Sequence, residues 1–306
     1  MKRATLKDIA RMADVSVATV SYVLNNVDNQ SIPETTRCKI MRIAKELEYT
    51  PNLSARTLVR NKSGLVGILI NEEQDIPYWK KQSHFTFVDG LQKLLTTAGY
   101  HTLFITIDAN DPSLNVIIER NLEAVFLVDV KDEMFYTISS KFVEGIPLIV
   151  IDSIIEDNLF QQITYNFHSA LKIASKLMNQ SFCLIMENFN NQALVNYILT
   201  NTNVAKDHIY IVDTPNDLDE IFKQTQFKEA IVINEFIGSY VERSGYFNNL
   251  AVICTCSCPE ILSDKTEKIM FKEDKSKTAF HIMNSLLRRN EYHSNNSNIN
   301  FIEVKI

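Results

Sequence analysis

Thr5-Leu6-Lys7-Asp8-Ile9-Ala10-Arg11-Met12-Ala13-Asp14-Val15-Ser16-Val17-Ala18-Thr19-Val20-Ser21-Tyr22-Val23-Leu24-Asn25 is the stretch whose spacing decides how this chain begins to fold. Thr5 and Asp8 have the form of a capping box, a hydroxyl with a carboxylate three residues on that reaches back to it. Leu6, Ile9, Ala10 and Ala13 then recur at helical spacing and make one apolar stripe. Asp14-Val15-Ser16 interrupts that helix, because Asp tolerates left-handed backbone better than most residues and Ser16 can cap the next helix. This second short helix, over about 17–25, turns Val20, Val23 and Leu24 inward and leaves Val17, Ala18, Ser21 and Tyr22 on or near the other side. A third opens at Ser31-Ile32-Pro33-Glu34 and runs to about Glu48 with Ile40, Ile43, Ala44 and Leu47 as its core face. Two helices joined by a short turn and backed by a third form a helix-turn-helix unit. Periodicity alone fits a helical cap with no nucleic-acid role equally well.

Outward from this head, Thr50-Pro51 ends the third helix, since the residue before proline avoids helical backbone. Asn52 can cap a further helix from Leu53 to about Val59, too short to hold in water without a partner surface. Arg60-Asn61-Lys62-Ser63 completes a polar linker, after which the character of the chain changes. Gly64–Ile70 reads as a buried parallel strand, Val88, Leu91, Leu94, Leu95 and Ala98 as a helical stripe, and Thr102–Ile107 as the next strand. The alternation continues through strands at Ala124–Val128, Pro147–Asp152, Phe182–Met186, His208–Val212, Ala230–Ile233 and Leu250–Cys254, with helices near 132–143 and Ala170–Met178. Such a pattern indicates α/β structure with parallel sheets, in two lobes.

Charge divides the same way. Residues 1–62 carry eleven Lys and Arg against six Asp and Glu, a net of +5, while the other 244 residues carry 20 against 31, a net of −11. A basic head on an acidic body suggests that the head meets a polyanion. No apolar run reaches the length of a membrane span, and Met1–Asp8 has no apolar signal core, so the expectation is a cytoplasmic protein with no membrane partner. The five cysteines are odd in number and do not read as a disulfide framework. Cys254-Thr255-Cys256-Ser257-Cys258 lacks a second ligand pair for zinc and is expected to continue a strand with alternate cysteines buried; no metal or cofactor is called for. There is no phosphate-cradling glycine loop, no HExxH and no GxSxG elbow, and His101, His168, His208, His281 and His293 are scattered singly, so an enzyme is not expected.

The residues from Thr5 to Asn25, together with Tyr49-Thr50-Pro51-Asn52, Ala55-Arg56 and Leu58, resemble the opening of the LacI/GalR family of bacterial transcription regulators. The resemblance implies an all-α helix-turn-helix head at 1–50, a hinge helix and linker at 51–62, and a two-lobed, periplasmic-binding-protein-like α/β body with parallel sheets at 63–306. It further implies a homodimeric regulator of double-stranded operator DNA, most often a repressor, with a small-molecule effector in the body. On this reading Ser16, Thr19, Ser21 and Asn25 serve the phosphate backbone and set register, and Thr5 and Leu6 are further DNA-binding residues. Val17, Ala18 and Tyr22 stand where family members read bases in the major groove. Asn52, Ala55 and Leu58 belong to the hinge, where a leucine wedges into a minor-groove base step and kinks the duplex. Two positions depart from the family: Asp14 where many relatives have Gly, and Tyr22 where most have Arg, the usual bidentate reader of guanine.

Asp89-Gly90-Leu91, Ala98-Gly99-Tyr100 and Gly145–Asp152 match the first lobe of the family's body. The second lobe matches poorly: no arginine occurs between Arg120 and Arg243, where relatives place one to grip sugar hydroxyls, and Lys cannot replace its planar fork. Asn234-Glu235 looks like the family's Asn-Asp pair with a longer acid. Two readings fit equally: an altered cleft lined by Glu235 with Tyr78 or Trp79, or a Trp79 that packs a loop and a Glu235 that is solvated. The alternatives are a regulator that needs no effector or answers to a protein partner, and, from another class, an exported solute-binding protein, which the missing signal segment disfavours.

Overall fold

The computed structural model describes residues 4–24, 31–49, 63–73, 75–110, 114, 117, 120–142, 145–288 and 298–305. The chain divides between Ser63 and Gly64 into two compact units.

In the first unit α1 (Leu6–Ala13), α2 (Val17–Leu24) and α3 (Glu34–Glu46) enclose a core of Ile9, Val20, Val23, Ile40 and Ile43. The capping box is present: Asp8 N donates to Thr5 Oγ1 and Thr5 N donates to the Asp8 carboxylate at 2.9 Å. Asp14 ends α1 in left-handed backbone at φ 56°, and Ser16 Oγ accepts from Thr19 N at 3.0 Å to open α2. Pro33 stands one residue ahead of α3 rather than inside it, and no side chain caps that helix. Leu6, Leu24 and Leu47 pack at the rim of this core, half-buried, because it closes around the smaller side chains between them.

The second unit holds β1 (Leu65–Glu72), α4 (Tyr78–Thr97), β2 (His101–Asp108), β3 (Ala124–Val128), α5 (Asp132–Ser139), β4 (Leu148–Ile151) and β5 (Gln161–Tyr165). The chain then runs into α6 (Phe167–Lys176), β6 (Cys183–Glu187), α7 (Gln192–Thr200), β7 (Ile209–Val212), α8 (Pro215–Gln224), β8 (Glu229–Ile233), α9 (Glu235–Ser244), β9 (Asn249–Ile253) and β10 (Glu267–Ile269). It returns through α10 (Lys275–Leu287), which packs on α4, to β11 (Ile299–Ile302). The sheets have the orders β11-β5-β4-β3-β1-β2 and β10-β9-β8-β6-β7, and every paired strand in both is parallel. Helices cover the sheets, so β3, β4, β6 and β8 are buried along their whole length; β3 and β4 are wholly apolar, while β6 ends and β8 begins with a buried glutamate.

The strands read from the sequence are all present, and three more accompany them. β5 escapes an apolar-run search because Gln162 and Thr164 lie inside it. Gln162 is tolerated there because its amide exchanges two hydrogen bonds of 2.8 Å with the backbone of Ile155. β10 and β11 are short edge strands with charged or amide residues. Cys254–Cys258 does not continue β9, which stops at Ile253.

Helix α9 lies so close to the second sheet that a Cβ on Gly238 would come within 2.7 Å of Val252 Cγ2. Gly238→Ala is therefore expected to cost about 1–3 kcal/mol by overpacking. Thermal unfolding checks this, at roughly 2–4 °C for each kcal/mol in a domain of this size.

Candidate functional site

In the head, Val20 and Val23 face the core and turn the other side of α2 outward. Ser16, Val17 and Ala18 are exposed at its N-terminal end, Thr19, Ser21 and Tyr22 are half-buried, and Val17 is an apolar side chain left 40% exposed. An exposed valine and alanine at a helix start offer small apolar contact and no hydrogen-bonding fork. The Thr5 hydroxyl is exposed but already engaged with Asp8 Oδ2 at 2.7 Å, and Leu6 is half-buried beside it. Asn25, Asn52, Ala55 and Leu58 lie outside the described residues.

In the body, the carboxyl ends of the strands carry the polar residues. Parallel sheets place every such end on the same side, which is where α/β proteins form ligand crevices. Asn71 and Glu72 end β1, Asp129 follows β3, Asp152 follows β4, Glu187 ends β6 and Asn234 follows β8. Asp129, Asp152 and Asn234 adopt left-handed backbone at φ 51°, 52° and 88°, conformations that cost a non-glycine residue on the order of 1–2 kcal/mol and persist only where surroundings hold them.

Those surroundings are polar side chains of the two lobes in direct contact. Lys80, near the start of α4 and 6% exposed, donates to Asn190 Oδ1 at 2.9 Å and to Asn188 O at 3.1 Å in the second lobe, and pairs with Asp129 Oδ2 at 2.8 Å in the first. Asn190 answers by donating N–H to Asp129 Oδ1 at 3.0 Å and its amide to Asn71 O and Asp129 O at 2.7 and 3.0 Å. His84, one turn on from Lys80, bonds Glu72 Oε1 through Nδ1 at 2.9 Å and approaches Asp129 Oδ2 through Nε2 at 3.5 Å. Burial works against a charged His84 ring, but the bonds with Asp129 and Glu72 outweigh it and hold its pKa at about 8. Burial likewise opposes the Asp129 carboxylate, yet Lys80 and His84 keep its pKa below the ordinary value. Glu187 is buried and accepts from Asn234 Nδ2 at 3.0 Å; desolvation raises its pKa to about 7 against that bond and the charge of Lys80.

Tyr78, Trp79 and Glu235 all lie at the boundary between the lobes, but in different roles. Trp79 is fully buried and packs with Ile185, Val212, Val232 and Ile237 of the second lobe, although α4 belongs to the first. Glu235 is fully buried as well, and its carboxylate accepts backbone N–H from Thr255 at 2.8 Å, Cys256 at 2.9 Å and Cys258 at 3.0 Å. It is the post around which Cys254–Cys258 curls, which is why that segment is a loop, with Ser257 at φ 57°, and not a strand. Tyr78 is 45% exposed, edge-on to Trp79 and to Phe236. Only Tyr78 of the three has a face at the surface; the other two are occupied in packing and in holding a loop.

Sequence reasoning missed Lys80, His84, Asp129, Glu187 and Asn190. A signal for two of them, Asp129 and Glu187, was present, a polar residue directly after each buried apolar run: Ile70-Asn71-Glu72, Val128-Asp129, Ile151-Asp152, Met186-Glu187 and Ile233-Asn234. Nothing local marks Lys80 or His84, which acquire meaning only from the second lobe and from the strand ends.

The described residues form a helix-turn-helix head and a two-lobed α/β body with two parallel sheets. Residues 5–52 match the model of the bacterial regulatory proteins, lacI family, and the N-terminal unit is a LacI-family helix-turn-helix domain. The chain is 31% identical over 174 residues to catabolite control protein A of Staphylococcus xylosus, covering 55% of this chain and 50% of that protein. It is 26% identical over 179 residues to the HTH-type transcriptional repressor PurR of Photobacterium profundum, covering 56% of this chain and 51% of that one. These alignments span about half the length of the curated relatives. The fold is that of the Lac repressor dimer bound to operator and the anti-inducer ONPF, with a TM-score of 0.75 at 16% identity over 99% of this chain and 97% of that one. Among the described residues no helix is long and apolar enough to cross a membrane.

Glu235→Ala is expected to release the 254–258 loop and to cost about 2–4 kcal/mol, since charged hydrogen bonds are lost together with their buried backbone partners. Glu235→Gln does not restore stability, because its amide would turn a donor toward backbone donors. Thermal unfolding, with amide exchange at Thr255, Cys256 and Cys258, measures both.

Proposed function

We propose that the chain is a homodimeric, sequence-specific transcription regulator that binds double-stranded operator DNA, acting as a repressor. The observation that carries this reading is the outward face of α2 in a lacI-family head, with Ser16, Val17 and Ala18 exposed and Ser21 and Tyr22 along the same side. Helix α2 enters the major groove by its N-terminal end. Ser16, Thr19, Ser21 and Asn25, with Thr5 and Leu6, serve the phosphate backbone, and Val17, Ala18 and Tyr22 meet base edges. Asn52, Ala55 and Leu58 act in the minor groove, with Leu58 as the wedge.

For the second copy, the edge of the first sheet offers a face. β2 is an edge strand, and Phe104 on it and Phe85 on α4 are 51% and 64% exposed around a groove of about 340 Å³. Exposed aromatic pairs on an edge strand favour an interface, and the Lac repressor, whose fold the chain shares, is a dimer on its operator. Phe85→Glu with Phe104→Glu is expected to yield monomers by sedimentation and to lose operator affinity.

Control by a small molecule in the interlobe crevice is the family's mode. Tyr78 is the residue of the expected trio still presented to a ligand. Such a ligand acts only through its different affinity for two states of the body.

Selection of bound duplexes from a randomised pool tests the DNA reading directly. Tyr22→Arg should shift the selected base toward guanine at its position, with about 1–3 kcal/mol of discrimination for a good bidentate pair. Leu58→Ala should weaken selected sites far more than random DNA, and affinity for both should fall steeply with salt. A wild-type chain that selects no sequence would overturn the proposal.

A further inference from the structure

Part of the space between the lobes is filled by the chain itself, while Tyr165 and Phe271 line a cavity of about 280 Å³ together with Cys254 and Glu260 of the second lobe. The Lys80 ammonium donates to Asn188 O and Asn190 Oδ1 in the second lobe and forms an ion pair with Asp129 Oδ2 at 2.8 Å in the first. It sits at the strand ends where a polar ligand of a two-lobed protein would be gripped, and it makes the same kind of bonds to both lobes that such a ligand would make. Asn190 closes the arrangement from the second lobe onto Asp129 and Asn71.

We propose that Lys80 is a built-in ligand that closes the cleft without a bound molecule, and that Glu187, buried opposite it, makes this closure depend on protons.

The charges facing one another are few and countable. From the first lobe come Lys80 and His84 on α4, Glu72 at the end of β1, Asp129 after β3 and, at the partly exposed rim, Asp132 at the start of α5, which accepts from Asn191 Nδ2 and Ala193 N of the second lobe whether or not Glu187 is charged. From the second lobe comes Glu187, with the neutral Asn234 and the thiol of Cys256 near it and Glu235 engaged by its loop. With Glu187 protonated and His84 charged, the closed cleft inside that rim holds two cations and two anions. Ionised Glu187 adds a third anion whose one hydrogen bond among the described residues comes from an amide. An unbalanced charge away from water opposes closure, and opening relieves it by hydration.

Linkage fixes the direction. In the closed form Glu187 keeps its proton to about 7, whereas hydrated in the open form it ionises at its ordinary 4.5. Closure is therefore fully favoured below 4.5 and weakens as pH rises to about 7. His84 has its bonding partners on its own lobe, so its loss of charge near 8 removes a cation from the cluster without breaking an interlobe bond. Neither step involves DNA, so failure of this inference leaves the DNA-binding proposal standing, and the reverse holds too.

Trp79 reports the state of the cleft directly, being the one tryptophan in the chain and sealed between the lobes. Its emission in the full chain is followed from about pH 5.5 to about pH 8.5, with far-UV circular dichroism to confirm that the fold is kept. Emission characteristic of a buried indole at the acid end, moving to the red as pH rises to about 7 and levelling off above it, supports the proposal. Glu187→Gln, neutral at every pH, should keep the buried-type emission past neutrality, and Lys80→Met should show the red-shifted emission already at the acid end. Wild-type emission that does not change with pH, or a Glu187→Gln titration that matches wild type, overturns the proton dependence. Buried-type emission retained by folded Lys80→Met overturns the built-in ligand; should that variant fail to fold, Lys80→Gln, which keeps a donor without the charge, decides the same point.

Discussion

The Lys80–Asp129 ion pair, together with the Asn190 amide that binds both members, is the contact on which the arrangement of the body depends. Two charges almost removed from water carry a desolvation penalty of several kcal/mol each, and their mutual attraction offsets it only when the remaining donors and acceptors are also satisfied. Here the second lobe supplies the missing partners: Asn188 O and Asn190 Oδ1 for the ammonium, Asn190 N–H for the carboxylate. The lobes are thus held by the polar groups that neither could bury alone. Asn191 extends the contact, accepting from Ile154 N at 2.9 Å and donating to Val130 O at 3.3 Å while it caps α7.

Around that contact the apolar side chains arrange themselves. Trp79 leaves its own lobe to pack on the second sheet, and Tyr165 donates its hydroxyl to Thr255 O at 2.9 Å from the other direction. Lys275 pairs with Asp152 and lies 4.5 Å from the centre of the Tyr165 ring, a second buried cation near the crossing between lobes. The helical head shares none of this chemistry. Its small core rests on helix caps and a handful of aliphatic residues, and its functional face is simply the side of α2 that the core does not use.

The proposed DNA-reading surface and the two-lobed body impose opposite demands on side chains. On α2 the residues assigned to bases are exposed or half-buried and lie outside the core, so they can change, as Tyr22 has, without cost to the fold. In the cleft the polar groups are committed to one another, Lys80 to Asn190 and Glu187 to Asn234.

The head and the alternation of the body were legible in the sequence because both depend on short-range periodicity: Thr5 and Asp8 three apart, Ile9 and Ala13 four apart, Ala124–Val128 an unbroken apolar run. Gln162 and Thr164 hid β5, since a polar residue in a buried strand is tolerated only by a partner the local pattern does not show. Glu235 and Trp79 were read as cleft-lining candidates, whereas one is the post of the 254–258 loop and the other is buried against the second sheet, roles no local pattern shows. Sequence by itself determined where helices and strands begin and which face of α2 remains open, because those depend on neighbours a few residues away. Tertiary structure alone decided what fills the cleft, because Lys80 and Asn190 are 110 positions apart and their bond exists only once two sheets bring their strand ends together.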